Sequence, residues 1–556
     1  MDRHSIGLVT AISVALACNG GDTTGLLTHP TVSCSSSSTP LSLTKGAYIS
    51  LDPSTSSGCA PFAANSSTTD SAEYLLVPLS GAGTSGQSSP FVLQNSTTTA
   101  TSSIQQRDVT PGSKGSPQGI ASSFDQFLRW TGRTHTYSTP LFGRTPSNTR
   151  SPVPPMVGSQ RDFKVCGDRS CSATGLKTVT GRVQAVGAHI AIYQDTLAPA
   201  GGLVAADFDT LKQVFDTRLY PLDTAAFGAV SDIDGNGVVI VLMTNAVNSL
   251  VNAYECRSAG YPAGFFYPGD LDPTVSQQYN HGEIFYTIVA DSAGTLSCPH
   301  SRAEVKQQAP ISFVHEFQHM INYVQHVLVR MSPAEEGWLD EGLAKYAEEL
   351  AGRSFLSDAV PDTASFNRYT INDLLDAYNF LAAPGAVVMV FPADNAASGN
   401  NGAAWLFTRY LVDQFGQGVT LKLVKTASTG AANVAAQTGL SFATLVSRWA
   451  LANWVSDLPG FTPPPELYYT SWSFRSTFQS LNTQYPTVFT APFPLIPTMS
   501  AATAVNLSGT IRSGTGPYHR ALEAPGGPAF KLLFSVDGST PLPAAVVPLL
   551  NVIRIR

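Results

Sequence analysis

His315-Glu316-Phe317-Gln318-His319 lies within residues 311–329, where apolar side chains recur at helical spacing. On a helix, positions i and i+4 share one face, with Cβ atoms about 5–6 Å apart. Both imidazoles therefore point the same way, and Glu316 stands one residue round from them. With ten histidines and twelve glutamates in 556 residues, independent placement would produce this H-E-x-x-H pattern only roughly 0.004 times. The bland alternative is a buried helix with internally satisfied histidines. It requires ionisable groups to be buried together without a counter-charge, which is costly. Two imidazoles at this spacing can instead share a Zn2+ ion, with the adjacent glutamate near enough to serve as a general base without taking a coordination position.

A catalytic zinc takes three protein ligands and keeps one position open. His326 follows His315 by eleven residues, whereas the metzincin pattern needs its third histidine at ten and a glycine where Asn322 stands. His326 therefore reads as a residue of the helix surface or one that supports a ligand. Downstream, five of the twelve glutamates fall between Glu335 and Glu349. A solvated acidic face explains Glu335, Glu336 and Glu349. Glu341, set among Trp338, Leu339, Gly342, Leu343 and Ala344, would be an expensive unpaired carboxylate unless a cation faced it. Glu348, seven residues on, shares its helix face and is placed to orient a ligand imidazole through the ring N–H. Tyr346, Tyr369, Tyr378 and His281 are available to stabilise an oxyanion, and none is singled out.

HEFQHMIN (residues 315–322) followed by WLDEGLAKYAEEL (residues 338–350) resembles the gluzincin metallopeptidases and, within them, the hyicolysin-type peptidases. The resemblance takes in residues 231–237 and Gly264-Phe265-Phe266-Tyr267 and covers about residues 160–460. It implies an α+β zincin-like catalytic domain with zinc held by His315, His319 and Glu341. It also implies Glu316 as general base and later proton donor, and a protein or peptide as substrate. The interval from His319 to Glu341 is longer than in the aminopeptidase branch, so aminopeptidase specificity does not carry over; nothing marks an exopeptidase, and the main expectation is an endopeptidase. The alternatives are a zinc hydrolase of a non-peptide amide and a non-catalytic zinc-containing surface binding protein; the intact Glu316 argues against the latter.

Around this centre, 556 residues exceed one ordinary core and predict a multidomain chain. The expected organisation is a signal peptide at 1–17, a β-rich domain at 18–97, a linker or prosegment at 98–158, the catalytic domain with a helical C-terminal subdomain at 159–460, and a second β-rich domain at 461–556. Both flanking domains read as β-sandwich-like, from short alternating apolar runs such as 47–51, 74–79 and 530–536. Within the catalytic part, 179–193 predicts paired strands, 208–219 an amphipathic helix, 237–244 a buried strand, and 336–350 a helix that Gly352 ends. Helices are expected at 403–415 and 442–455. The stretch Ser231-Asp232-Ile233-Asp234-Gly235-Asn236-Gly237 resembles half of a calcium loop. Position twelve, counted from Asp232, is Met243 where a bidentate glutamate is needed, so a hairpin built on Asx turns is preferred over Ca2+ at Asp232, Asp234 and Asn236.

Charged residues make up only 13% of the chain and the formal net charge is −7, with no Lys/Arg cluster to track phosphates. Nucleic acid is excluded as a partner. The short apolar run at 6–17 ends at Cys18, predicting export, with either a lipid anchor on Cys18 or plain signal-peptidase cleavage. The other six cysteines, Cys34, Cys59, Cys166, Cys171, Cys256 and Cys298, form an even set suited to disulfides, of which sequential pairing is the simplest of 15 connectivities. The sequence sets no oligomeric state.

Overall fold

A computed structural model describes residues 32–34, 39–96, 119–133, 152–172, 174–272, 275, 279–391 and 398–556. The expected signal peptide and Cys18 lie outside the described residues. The chain is multidomain, with mixed α and β content and several sheets.

The central sheet has six strands in the order Gln160–Cys166, Leu176–Val186, Ile190–Asp195, Val239–Met243, Ile284–Thr287 and Gly264–Phe266. Its middle is parallel, Val239–Met243 pairing with Ile190–Asp195 on one side and Ile284–Thr287 on the other. Val-Ile-Val-Leu-Met is buried at all five positions, as expected of a parallel strand covered on both faces. Gly264–Phe266 runs antiparallel at the edge. The helix Arg302–Tyr323 packs against this end of the sheet, Phe285 meeting Phe313 with ring centroids 5.5 Å apart. The segment expected as one helix at 208–219 is a helix, Ala205–Val214, that widens into a π-turn, Phe215–Leu219, and continues as Tyr220–Phe227.

Two expectations change here. Residues 231–237 do form Asx turns: Asp234 accepts from Asn236 N–H at 3.2 Å and Asn236 from Val238 N–H at 2.7 Å. They do not make a hairpin, because the strand that follows pairs in parallel with both neighbours. Gly352 does not end the second helix, which runs Gly337–Leu356. It is there for close approach, since a Cβ at Gly352 would stand 2.9 Å from that of Tyr369. The same applies at Gly402 of the helix Ser398–Phe415, where a Cβ would meet the Asp376 carbonyl oxygen at 2.1 Å. These contacts let Gly337–Leu356, Thr363–Ala382 and Ser398–Phe415 pack as a tight helical layer.

The flanking β-regions read from sequence as separate, but their strands interleave. One sheet has the order Tyr48–Leu51, Pro548–Arg554, Ala72–Ser80, His519–Glu523, Thr498–Ala501, and the other Asn506–Arg512, Ser88–Asn95, Phe530–Ser535, Cys59–Phe62. Phe62 stacks on Phe530 between them, with centroids 4.4 Å apart. Ala72–Ser80 is buried at every position; its second face meets the helix Phe442–Val455, and Tyr518 Oη donates to Ala450 O at 2.7 Å from the same side. Disulfides join Cys34 to Cys59, Cys166 to Cys171 and Cys256 to Cys298, the sequential set. Within the expected linker, Gly119–Arg133 is a helix with Phe124 and Leu128 buried.

Candidate metal centre

The helix Arg302–Tyr323 begins at a capping box, Ser301 accepting from Glu304 N–H at 3.2 Å and Glu304 from Ser301 N–H at 2.7 Å. Four turns on, it presents His315 and His319 side by side, their Nε2 atoms 3.1 Å apart. From the neighbouring helix, Glu341 brings Oε2 to 3.7 Å from His315 Nε2 and Oε1 to 3.6 Å from His319 Nε2. Ligands at zinc bond lengths in a tetrahedron are about 3.3 Å apart. All three side chains offer donor atoms within 4.8 Å of one another.

The outward nitrogens are held from behind. His315 Nδ1 lies 2.7 Å from Glu348 Oε1, and His319 Nδ1 lies 3.0 Å from Asp340 Oδ2. The first is a hydrogen bond and the second an ion-pair contact, and together they leave the Nε2 atoms facing Glu341, the arrangement that orients ligand imidazoles. Asp340 also accepts from Asn322 Nδ2 at 2.5 Å and lies 3.7 Å from Arg129 Nη1. Burial opposes its ionisation, but His319, Arg129 and Asn322 prevail and hold it below the ordinary value. Glu316 is 4% exposed, and one of its oxygens, Oε2, accepts from Phe266 N–H at 2.8 Å.

These residues fit a cation. Glu341 Oε1 is buried and accepts no hydrogen bond, a condition that costs free energy unless a positive charge faces the oxygen. Burial raises the Glu341 carboxyl to about 7 against the pull of His315 and Arg129. For His315 burial favours the neutral ring, yet Glu348, Glu316 and Glu341 outweigh it and push the imidazole up to about 10. The surrounding carboxylates therefore favour positive charge at this point. Two nitrogens and one carboxylate oxygen are the donor set that zinc accepts in open sites.

The remaining sequence candidates lie elsewhere. His326 is buried in the π-turn Val324–Leu328, with Nε2 3.8 Å from Glu335 Oε2. Tyr346 packs under Arg409, Tyr369 against Phe355, and Tyr378 Oη bonds Thr490 Oγ1 at 3.2 Å and accepts from Ala491 N–H at 2.6 Å. Asp232 and Asp234 come together with Glu283 as a second acidic group. Glu283 is already engaged there, by Ser231 Oγ at 2.5 Å and Ile233 N–H at 3.0 Å, and Asn236 turns its amide to Asp234 Oδ2 at 2.7 Å. Asp340 and Arg129 also belong to this centre and are not among the sequence candidates. Asp340 was signalled by its place beside Glu341. Arg129 had no local signal, lying in a Thr-, Ser-, Pro- and Arg-rich stretch.

An H-E-x-x-H helix and a glutamate helix meeting around one point define a candidate metal centre of the kind metallopeptidases use. No family model matches the chain. Over 156 residues, 26% of this chain, it is 31% identical to the neutral metalloprotease ShpI of Staphylococcus hyicus. That match covers 33% of the relative, so the chain spans about a third of the length of this curated protein. The likeness supports a metallopeptidase relationship, and with it a bound metal. No helix among the described residues is long and apolar enough to cross a membrane, and the three disulfides are consistent with an oxidising compartment outside the cytosol.

Proposed function

We propose that the chain is an exported, zinc-dependent endopeptidase of gluzincin, hyicolysin-like type, with His315, His319 and Glu341 as metal ligands and Glu316 as general base. The observation that carries this reading is the convergence of two Nε2 atoms and an undonated Glu341 oxygen, with Glu316 next to His315 on the same helix. When bound, zinc supplies a Lewis acid that acidifies water and polarises a peptide carbonyl. Glu316 takes the proton from the attacking water and passes it to the leaving amine. Burial raises its carboxyl, against the pull of His315 and Arg129, which makes it a better proton carrier near neutral pH than a solvated glutamate. Glu348 and Asp340 keep the two imidazoles in one tautomer and orientation. Residues 159–460 form the catalytic unit in this reading, and Cys18 is the point of lipid attachment if the chain is anchored.

Metal analysis of the purified chain beside Glu341→Ala, with casein hydrolysis compared between wild type and Glu316→Gln, tests this. One zinc per chain, lost in Glu341→Ala, with hydrolysis abolished in Glu316→Gln, is expected. Full zinc retention by Glu341→Ala would reject that ligand. Zinc in both wild type and Glu316→Gln with cleavage by neither would favour a non-catalytic binding protein.

A further inference from the structure

The edge strand Gly264–Phe266 pairs with the sheet on one side only. Its Phe266 backbone is claimed from outside the sheet: the N–H donates to Glu316 Oε2 at 2.8 Å, and the carbonyl accepts from Arg129 Nη2 at 2.9 Å. An extended peptide that joins a sheet edge needs such a carbonyl for itself, and here it is the helix bearing Arg129 that occupies it. Arg129 belongs to the helix Gly119–Arg133, which lies along this strand with Phe124 edge-on to Phe265 at 5.2 Å and Arg133 Nη1 donating to Ala334 O at 2.7 Å. One turn before Arg129, and so on the same face, stands Asp125. Its Oδ1 is buried and has no hydrogen-bond partner, and its carboxylate feels the charges of Glu316, Glu341 and His315. A buried carboxylate oxygen without a donor is costly unless a cation faces it. The cation this neighbourhood calls for is the one that His315, His319 and Glu341 are arranged to hold.

We infer that the helix Gly119–Arg133 is a built-in inhibitor: it covers the strand edge that a substrate would join, aims Asp125 at the metal centre and is locked there by Arg129. The inference rests on the metallopeptidase reading. It gives the segment between the β-sandwich and the catalytic unit a role beyond connection, since the intact chain would be latent until this helix is displaced. A merely structural helix would bury its apolar face equally well, but it would have no use for a buried carboxylate oxygen without a donor one turn from the arginine that reaches Phe266 and Asp340.

The test uses the full chain in the Glu316→Gln background, where self-digestion is suppressed, and follows hydrogen exchange of amides 119–133 with and without zinc. Zinc is expected to slow exchange across the helix, and Asp125→Ala to abolish the slowing. In the otherwise wild-type full chain, Asp125→Ala should raise casein hydrolysis about tenfold, the effect of losing one charge-assisted contact. Exchange indifferent to zinc, together with unchanged hydrolysis by an Asp125→Ala chain that still carries one zinc, would overturn the inference and leave the metallopeptidase reading standing. A chain that takes up no zinc would overturn that reading, and the inference with it.

Discussion

The core of the β-sandwich and the proposed metal centre are both largely shielded from water, and they are filled with opposite materials. Between the two sheets lie Phe62, Tyr74, Phe91, Leu93, Phe530, Leu532 and Phe534, groups whose burial is favourable whatever their neighbours. Around His319 lie Glu316, Asp340, Glu341 and Glu348, all buried, each favourable only while its partner is present. The first region is stabilised by area and tolerates exchange of one apolar group for another. The second stores unfavourable charge against the arrival of a cation, and single polar changes there redistribute function more than stability.

The largest test of that contrast is Glu316→Gln. Hydrolysis should fall about 10²–10⁴-fold, the usual contribution of a general base, while the melting temperature holds or rises because a buried carboxylate has been removed. A fall in both would mean that Glu316 is structural. Next comes Phe530→Ala, expected to cost about 3–5 kcal/mol of stability in denaturant titrations, with zinc content per folded chain unchanged. Loss of zinc in that variant would show the two regions to be coupled. Glu348→Gln and Asp340→Asn should each weaken zinc binding about 10–100-fold, as loss of an imidazole's orienting partner does, with little change in melting temperature; competition with a chromophoric chelator reads this. The smallest effect is a slope. His519 is the sandwich's buried histidine, and burial lowers it to about 4. Between its ordinary value near 6.5 and 4, the unfolded chain takes a proton that the folded chain refuses, so stability declines as pH falls through that window. His519→Gln should flatten the decline, and an unchanged slope would place its origin outside the sandwich.

What the sequence made legible follows the range of the interaction. His315, Glu316 and His319 sit within about one helical turn, and Glu341 and Glu348 two turns apart on another helix, so helical periodicity alone brings each set together. The fold then sets the two faces against each other at 3.6–3.7 Å. Gly352 misled because a glycine that ends a helix and one that admits a neighbouring helix look alike in sequence, and only Tyr369 distinguishes them. The Asx turns at 231–237 were readable from their side chains, but the partner of the strand they lead into was not, since parallel pairing is decided by residues far along the chain. The same limit hid the interleaving of the sandwich, where Leu76 faces Val552 on one side and His519 on the other. Arg129 was invisible for a related reason: its acceptors, Phe266 O and Asp340, belong to other elements entirely.

The interleaving also bears on the order in which the chain is made. Strand Ala72–Ser80 emerges from the ribosome hundreds of residues ahead of both its sheet neighbours, His519–Glu523 and Pro548–Arg554. At synthesis rates of roughly 5–20 residues per second it spends tens of seconds as an unpaired apolar strand, the condition most prone to pairing with the wrong chain. Under the proposed export, a chain built this way benefits from being held unfolded until translocation ends. The sandwich can close only once Pro548–Arg554, the last of its strands, has been delivered.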